Sequence, residues 1–151
     1  MNERLRRLER IYTDHPVYFV TFCTAVRKPL LDCLTMHESF VRFCRTALER
    51  NVFVGRYVLM PDHIHLFVTF SEPKSDLSGW IKSLKNSLSK VLRASGILAP
   101  HWQKGFFDHV LRSQESYSQK WLYMVENPVR AGLVSHWQNW PWQGEIHPLA
   151  I

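Results

Sequence analysis

Two histidines separated by a single residue are the side chains of this sequence best suited to chemistry. His63 and His65 lie within the apolar run 57–68. Because successive side chains of a β-strand point to opposite faces, the two histidines share one face, while the apolar residues between and after them line the other. Two imidazoles side by side on a rigid backbone can supply two of the ligands of a metal site. We therefore expect both histidines to be metal ligands and a third ligand to come from elsewhere in the fold.

Two familiar classes of metalloprotein fit this sequence poorly. A cupin-type oxygenase needs a glutamate a few residues after the second histidine, where this sequence has Thr-Phe-Ser at positions 69–71. A structural zinc site needs paired cysteines, whereas Cys23, Cys33 and Cys44 are too widely spaced to form a pair. Both alternatives therefore lack their next ligand.

A polar pair on the last predicted helix is a candidate partner for the histidines. At 3.6 residues per turn, the side expected to face the core carries Tyr117, Trp121, Leu122, Met124 and Val125. Tyr123 and Asn127, one turn apart, lie together on the other side of the helix with Lys120. A hydroxyl and an amide on that side can reach a ligand that is bound on the sheet.

The elements that position these residues follow from the hydrophobic pattern. Runs rich in β-branched and aromatic residues predict strands at 17–24, 52–60, 63–70 and 105–111. Apolar residues at helical spacing predict helices over about 34–50, between Ser75 and Gly96, and from near Ser113 to Asn127. This order predicts an α+β, ferredoxin-like (RRM-like) fold, in which an antiparallel sheet carries helices mainly on one face. The helix that bears Tyr123 is added at the C-terminal end.

The composition is that of a globular protein with an anionic partner. With 46% hydrophobic and 21% charged residues, the chain resembles neither disordered nor membrane proteins, and its length suits one domain over residues 1–151, with 1–14 as a basic arm. The sequence has no apolar run of membrane-spanning length, so we expect a cytoplasmic protein. The net charge of +6 and the 13% aromatic content favour a nucleic acid with unpaired bases.

The polar side of the middle helix is a candidate contact for nucleic acid. Lys82, Lys85 and Arg93 follow one another at helical spacing opposite the leucine stripe of that helix. A basic side of this kind suits a phosphate backbone, and we predict that these three residues bind DNA.

Five motifs, in one order along residues 15–142, are specific in combination. They are Tyr-Phe-Val-Thr-Phe at 18–22, Met-Pro-Asp-His-Ile-His-Leu at 60–66, His-Trp-Gln at 101–103, Phe-Phe-Asp-His at 106–109 and Tyr-Met-Val-Glu-Asn-Pro-Val-Arg-Ala-Gly-Leu-Val at 123–134. Together they resemble the REP-associated tyrosine transposases. These are members of the HUH endonuclease superfamily and are related to the single-tyrosine transposases of small insertion sequences.

The resemblance implies a mechanism and a site. Tyr123 is then the nucleophile, His63 and His65 are the paired metal ligands, and Asn127 is the third ligand through its side-chain oxygen. The ion of the family is generally Mg²⁺ or Mn²⁺, and the substrate is single-stranded DNA beside a hairpin. Attack by the tyrosine leaves a 5′-phosphotyrosine link and a free 3′-OH. We also assign Arg130, in the last motif, to DNA binding; family members act as a monomer or a homodimer.

Two other functions remain open at this stage. The first is a ferredoxin-like module that binds single-stranded nucleic acid without catalysis, with the histidines holding a structural ion or none. The second is a metal hydrolase that uses water in place of tyrosine. Such an enzyme needs a general base near the metal, for which Asp62 and Asp108 are the candidate carboxylates.

Overall fold

A five-stranded antiparallel sheet forms the centre of the protein. The computed structural model describes residues 11–12, 15–72 and 76–150. The strands are β1 (Ile11–Tyr12), β2 (Val17–Cys23), β3 (Val52–Leu59), β4 (His63–Phe70), β5 (Phe107–Leu111), β6 (Gln143–Glu145) and β7 (Leu149–Ala150). The helices are α1 (Leu34–Thr46), α2 (Leu77–Ala94), α3 (Gln114–Val125) and α4 (Asn127–Arg130).

The strand order in the sheet is β5-β2-β4-β3-β6, and every neighbouring pair is antiparallel. The first four of these strands have the order of a ferredoxin-like fold, so the predicted α+β class is confirmed. Strand β6 adds a fifth strand beside β3 that the sequence pattern did not predict. Of the predicted basic arm over 1–14, only β1 lies within the described residues, and it pairs in parallel with β7.

Helices α1 and α2 cover one face of the sheet. Alternate residues of β4, among them Ile64 and Leu66, pack there against Phe40 of α1 and Leu84 of α2. We call this packed layer the first core. Helix α2, predicted between Ser75 and Gly96, begins at Leu77, and Asp76 caps it by accepting a hydrogen bond from the backbone N–H of Ser78. Ser75 itself lies outside the described residues.

Helix α3 covers part of the opposite face, where it forms a second core. Ser113 caps its first turn by accepting a hydrogen bond from the backbone N–H of Ser116. Tyr117 and Met124 of the helix pack against Phe67 of β4 and Leu111 of β5. Since His63 and His65 alternate with the first-core residues of β4, they lie on the same face as α3.

One residue of the predicted core side of α3 was placed wrongly. Leu122 is 65% exposed, although it was expected to face the core. On a helix with 100° per residue, Leu122 lies about 60° beyond Val125, the outermost buried position on that side. Tyr117, Met124 and Val125 are buried as predicted. In the described part of the chain, no helix has the length and apolarity needed to cross a membrane.

Candidate active site

The two histidines lie next to each other at the start of β4. Their ring centroids are 4.7 Å apart, and the ring planes are nearly perpendicular. His65 is only 6% exposed and stacks on Phe19 of the neighbouring strand, with 5.4 Å between ring centroids. The predicted shared face is therefore confirmed, and packing holds the His65 ring in one orientation.

Each histidine has one ring nitrogen occupied by a protein partner. The Nδ1 atom of His63 lies 2.7 Å from a carboxylate oxygen of Asp62, and Nδ1 of His65 lies 2.7 Å from the hydroxyl of Thr21. Because a carboxylate only accepts hydrogen bonds, we assign the proton of neutral His63 to Nδ1. The Thr21 hydroxyl can donate or accept, and it accepts from Nδ1 of His65 in the tautomer that suits metal binding. In these tautomers the lone pair of each ring lies on Nε2, which is the usual state of a metal-binding histidine.

The surroundings keep both imidazoles neutral. Burial lowers the pKa of His63, and the hydrogen bond with Asp62 only partly opposes this effect. Burial also lowers the pKa of His65 to about 3. Protonation of His63 and the positive charges of Arg130 and Arg27 act in the same direction. At neutral pH the lone pairs are therefore free for a cation.

A tight turn brings Arg27 to the edge of the site. Val26 and Arg27 have positive φ angles of 48° and 54°, a region that residues other than glycine seldom adopt. From this turn, Arg27 donates a hydrogen bond of 2.8 Å to Asp62. Burial opposes ionisation of Asp62, but the hydrogen bonds from Arg27 and His63 outweigh it, so the pKa of Asp62 is lowered.

Neither carboxylate that was considered as a general base suits that role. Asp62 is engaged by Arg27 and His63 through both of its oxygens. Asp108 pairs in register with Val20, a first-core residue, so its side chain lies on the sheet face opposite the histidines. This placement disfavours a hydrolase that activates water.

Asn127 adjoins the histidines at the start of α4. Its side chain makes a polar contact with the His63 ring that favours the protonated form of that ring. The two residues also line one cavity of about 400 Å³ together with Asp62 and Met60. Among the described residues, no three His, Cys, Asp or Glu side chains cluster as a metal site, and the role of Asn127 as the third ligand stays a prediction.

Tyr123 is exposed and lies between two cations. Its side chain is 53% exposed, as its position off the apolar stripe predicted. The guanidinium of Arg130 lies 4.2 Å from the centre of the Tyr123 ring, and Lys120 Nζ lies 5.9 Å from it. Lys120 is also 5.7 Å from the ring of Phe19, which stacks on His65. The structure thus places the tyrosine beside the histidine face of the sheet.

The three basic residues predicted on the middle helix are not brought together with the histidines. They belong to α2, which packs on the first-core face. Lys82 and Arg93 are exposed. Lys85 donates hydrogen bonds to the carbonyls of Gly105 (2.6 Å) and Gln103 (3.2 Å), and burial lowers its pKa.

Sequence reasoning missed Thr21, Arg27 and Lys120 as parts of the site. Thr21 meets His65 only because β2 pairs with β4 in this register. Arg27 reaches Asp62 from a turn whose backbone conformation has no sequence signal in valine and arginine. Lys120 was placed on the correct side of its helix, but its contacts with Phe19 and Tyr123 depend on how α3 docks on the sheet.

Comparison with known proteins identifies the class of protein as a transposase. The family described as "Transposase IS200 like" matches residues 13–121, more than half of the 151-residue chain. The chain belongs to this IS200-like transposase family. The match ends two residues before Tyr123, so the roles of Tyr123 and Asn127 depend on the geometry described above.

Individual relatives of the chain are REP-associated tyrosine transposases. The chain is 27% identical over 134 residues to a REP-associated tyrosine transposase of Escherichia coli (strain K12), covering 87% of this chain and 78% of the relative. It is also similar to a solved structure of a REP-associated tyrosine transposase bound to a REP hairpin. That similarity has a TM-score of 0.71 and 26% identity, over 89% of this chain and 79% of the other. The resemblance that the motifs indicated is confirmed.

Proposed function

We propose that this transposase is a metal-dependent tyrosine endonuclease that cleaves and rejoins single-stranded DNA beside a hairpin, through a 5′-phosphotyrosine intermediate. The observation that carries the proposal is the shared sheet face: His63 and His65 lie side by side on the face that α3 covers in part, and Nδ1 of each ring has a protein partner. Tyr123 stands exposed on that helix, and the charge of Arg130 acts on both Tyr123 and His65.

The ion would be Mg²⁺ or Mn²⁺, as the family resemblance implies; the amide oxygen of Asn127 suits these ions, whereas the two imidazoles also suit softer transition metals. The Nε2 atoms of His63 and His65 and the side-chain oxygen of Asn127 would hold the ion. An ion held by these residues would remain accessible to phosphate oxygens of the substrate. When bound, the ion polarises the scissile phosphate and offsets the negative charge that develops there.

Tyr123 would be the nucleophile of the reaction. Its hydroxyl oxygen attacks the phosphorus, the bond from phosphorus to the 3′ oxygen breaks, and that oxygen takes up a proton as the phenol gives one to solvent. One phosphodiester replaces another, so the 3′-OH can later attack the phosphotyrosine and rejoin the strand. Lys120 and Arg130 would attract the phosphate and hold it beside the tyrosine ring.

The DNA partner follows from the charge of the chain and from its relatives. A relative of similar fold was solved with a REP hairpin, and we propose hairpin DNA as the partner here. Lys82, Lys85 and Arg93 would contact phosphates away from the cleavage site, and Arg130 those next to it. Measuring the mass in solution with and without DNA distinguishes a monomer from a homodimer.

Formation of a covalent adduct tests the proposal. The protein is incubated with Mg²⁺ or Mn²⁺ and a labelled single strand that carries a hairpin, and the products are separated on a denaturing gel. We expect a labelled protein adduct that disappears in Tyr123→Phe. Tyr18→Phe is the matched control, because Tyr18 packs against the first core on the other face.

The other outcomes of this assay select the competing functions. Cleavage without an adduct indicates a hydrolase, and binding without cleavage indicates a non-catalytic module. An adduct of wild-type strength in Tyr123→Phe means that another residue is the nucleophile.

A further inference from the structure

Phe107 is a large aromatic side chain left bare at the edge of the sheet. It begins β5, an edge strand, and it is 73% exposed. Its neighbour Phe106 packs against the first core. The two adjacent phenylalanines therefore lie in opposite environments, and only Phe106 is used for packing.

The register of the strands places Phe107 on the face of the candidate active site. Phe107 pairs with Thr21, and Thr21 pairs with His65, so the three residues form one row across β5, β2 and β4. Side chains in one row point to the same face. Neighbouring strands are about 5 Å apart, so Phe107 lies about 10 Å from His65 along the row.

Helix α3 covers only one end of β5. On the histidine face of this strand, Leu111 is buried in the second core, His109 is exposed, and Phe107 lies farthest from the helix. The exposed Phe107 ring therefore lies at the edge of the row whose inner members are Thr21 and the buried His65.

The loop before Phe107 is held in place and is positively charged. Lys85 donates hydrogen bonds to the carbonyls of Gln103 and Gly105. Lys104, between these two residues, is exposed. An exposed aromatic ring close in sequence to an exposed cation is a combination that proteins use to hold unpaired nucleotides, because the ring stacks on a base and the cation attracts the phosphate.

We propose that Phe107 is a stacking platform for a base of the single strand that runs across the active site. The proposal rests on the proposed function, and it adds the position of a nucleotide that flanks the scissile phosphate. At about 10 Å from His65, the stacked base would lie roughly one to three nucleotides from that phosphate, since stacked bases are about 3.4 Å apart. Every base offers a π face, so the platform would bind without strong sequence preference.

The occupant is DNA rather than a second copy of the chain. An exposed edge strand with an aromatic residue can also pair with the same strand of a second copy of the protein. The net charge of +6 opposes such self-association and favours a polyanion.

Binding of tailed hairpins in the absence of divalent metal tests the platform. The probes are a fluorescein-labelled blunt DNA hairpin and the same hairpin with a thymidine tail of about eight nucleotides on its 5′ or 3′ side. We expect a tail on one side to raise the affinity of the wild-type protein. Phe107→Leu should bind the tailed hairpin about five- to hundredfold more weakly than the wild type does. Its affinity for the blunt hairpin should equal that of the wild type. Phe107→Trp should restore the gain.

Leu98→Ala is the matched control. Leu98 is 83% exposed and lies in the loop after α2, away from the histidine face. The variant therefore lacks an exposed apolar side chain at a different place and should bind all probes as the wild type does. Equal binding of blunt and tailed hairpins by the wild type overturns the proposal, as does a gain that persists in Phe107→Leu. A self-association of the wild type that is lost in Phe107→Leu, with tail binding unchanged, also overturns it.

The adduct assay separates this proposal from the proposed function. If the wild type forms no adduct but Phe107→Leu loses tail binding, the platform stands and the tyrosine chemistry fails. If the adduct forms and Phe107→Leu binds tails normally, the platform alone fails.

Discussion

Arg130 lies over the ring of Tyr123, with 4.2 Å between the guanidinium carbon and the ring centroid. The same guanidinium donates a hydrogen bond to the backbone carbonyl of Tyr123. Its charge also contributes to the lowered pKa of His65. One side chain from α4 is therefore in contact with the proposed nucleophile and close to a proposed metal ligand.

Replacing Arg130 should slow adduct formation while the fold stays intact. Arg130→Gln removes the cation that is stacked on Tyr123 and that would face the phosphate, so we expect the adduct to form about ten- to a hundredfold more slowly. Arg50→Gln, which removes an exposed charge after α1, should leave the rate unchanged. Single-turnover kinetics on the labelled hairpin measure both. Equal rates for Arg130→Gln and the wild type would mean that Arg130 has only a structural role.

Thr21 should set the affinity for the metal through His65. Its hydroxyl lies 2.7 Å from Nδ1 of His65, and partners of this kind orient a metal-binding imidazole. Thr21→Val keeps the shape of the side chain but removes the hydrogen bond, so we expect Mn²⁺ affinity to fall by about ten- to a hundredfold. Thr21→Ser retains a hydroxyl and should bind Mn²⁺ nearly as the wild type does. Calorimetric titration with Mn²⁺ gives the comparison, and equal affinity in all three proteins contradicts the role of Thr21.

Two apolar residues of α3 should differ sharply in their effect on stability. Met124 is fully buried in the second core, whereas Leu122 is largely exposed. Met124→Ala leaves a cavity and should lower the free energy of unfolding by about 2–5 kcal/mol. Leu122→Ala should change it by less than about 0.5 kcal/mol. Urea unfolding of the two variants decides this, and similar losses in both would mean that α3 docks on the sheet differently.

Periodicity within one element predicted most of the candidate site. The shared face of His63 and His65 follows from strand alternation, and the exposure of Tyr123 follows from helical spacing. Both are local properties, which the sequence of a single element contains. The error at Leu122 arose at the border of the apolar stripe, where a small rotation of the helix decides between core and solvent.

The features that were not predicted depend on which elements meet. Strand β6 has only three residues, Gln-Gly-Glu, without β-branched or aromatic side chains, and it forms because β3 offers it an edge. The contact of Arg27 with Asp62 requires an unusual backbone turn. The row from Phe107 to His65 exists only through the pairing of three strands, which no single segment encodes.

His37 should make the fold less stable in mild acid. In α1, its Nε2 lies 2.7 Å from the hydroxyl of Tyr57. Burial lowers the pKa of His37, and the charge of Glu38 only partly opposes this, while burial raises the pKa of Tyr57 to about 12. The unfolded chain therefore binds a proton at His37 more readily than the folded chain does. Protonation of His37 therefore lowers the free energy of unfolding. This loss of stability is absent well above the unfolded pKa of about 6.5 and grows as the pH falls below that value.

His37→Gln removes this titration. We compare the free energy of unfolding of the wild type with that of the variant. The wild-type value minus the variant value should decrease as the pH is lowered from about 7.5 to about 5. The other histidines titrate in both proteins, so their contributions cancel in this difference. Urea unfolding at a series of pH values measures it. A difference that stays constant or increases toward acid would show that His37 titrates alike in the folded and unfolded chains, or more readily in the folded one.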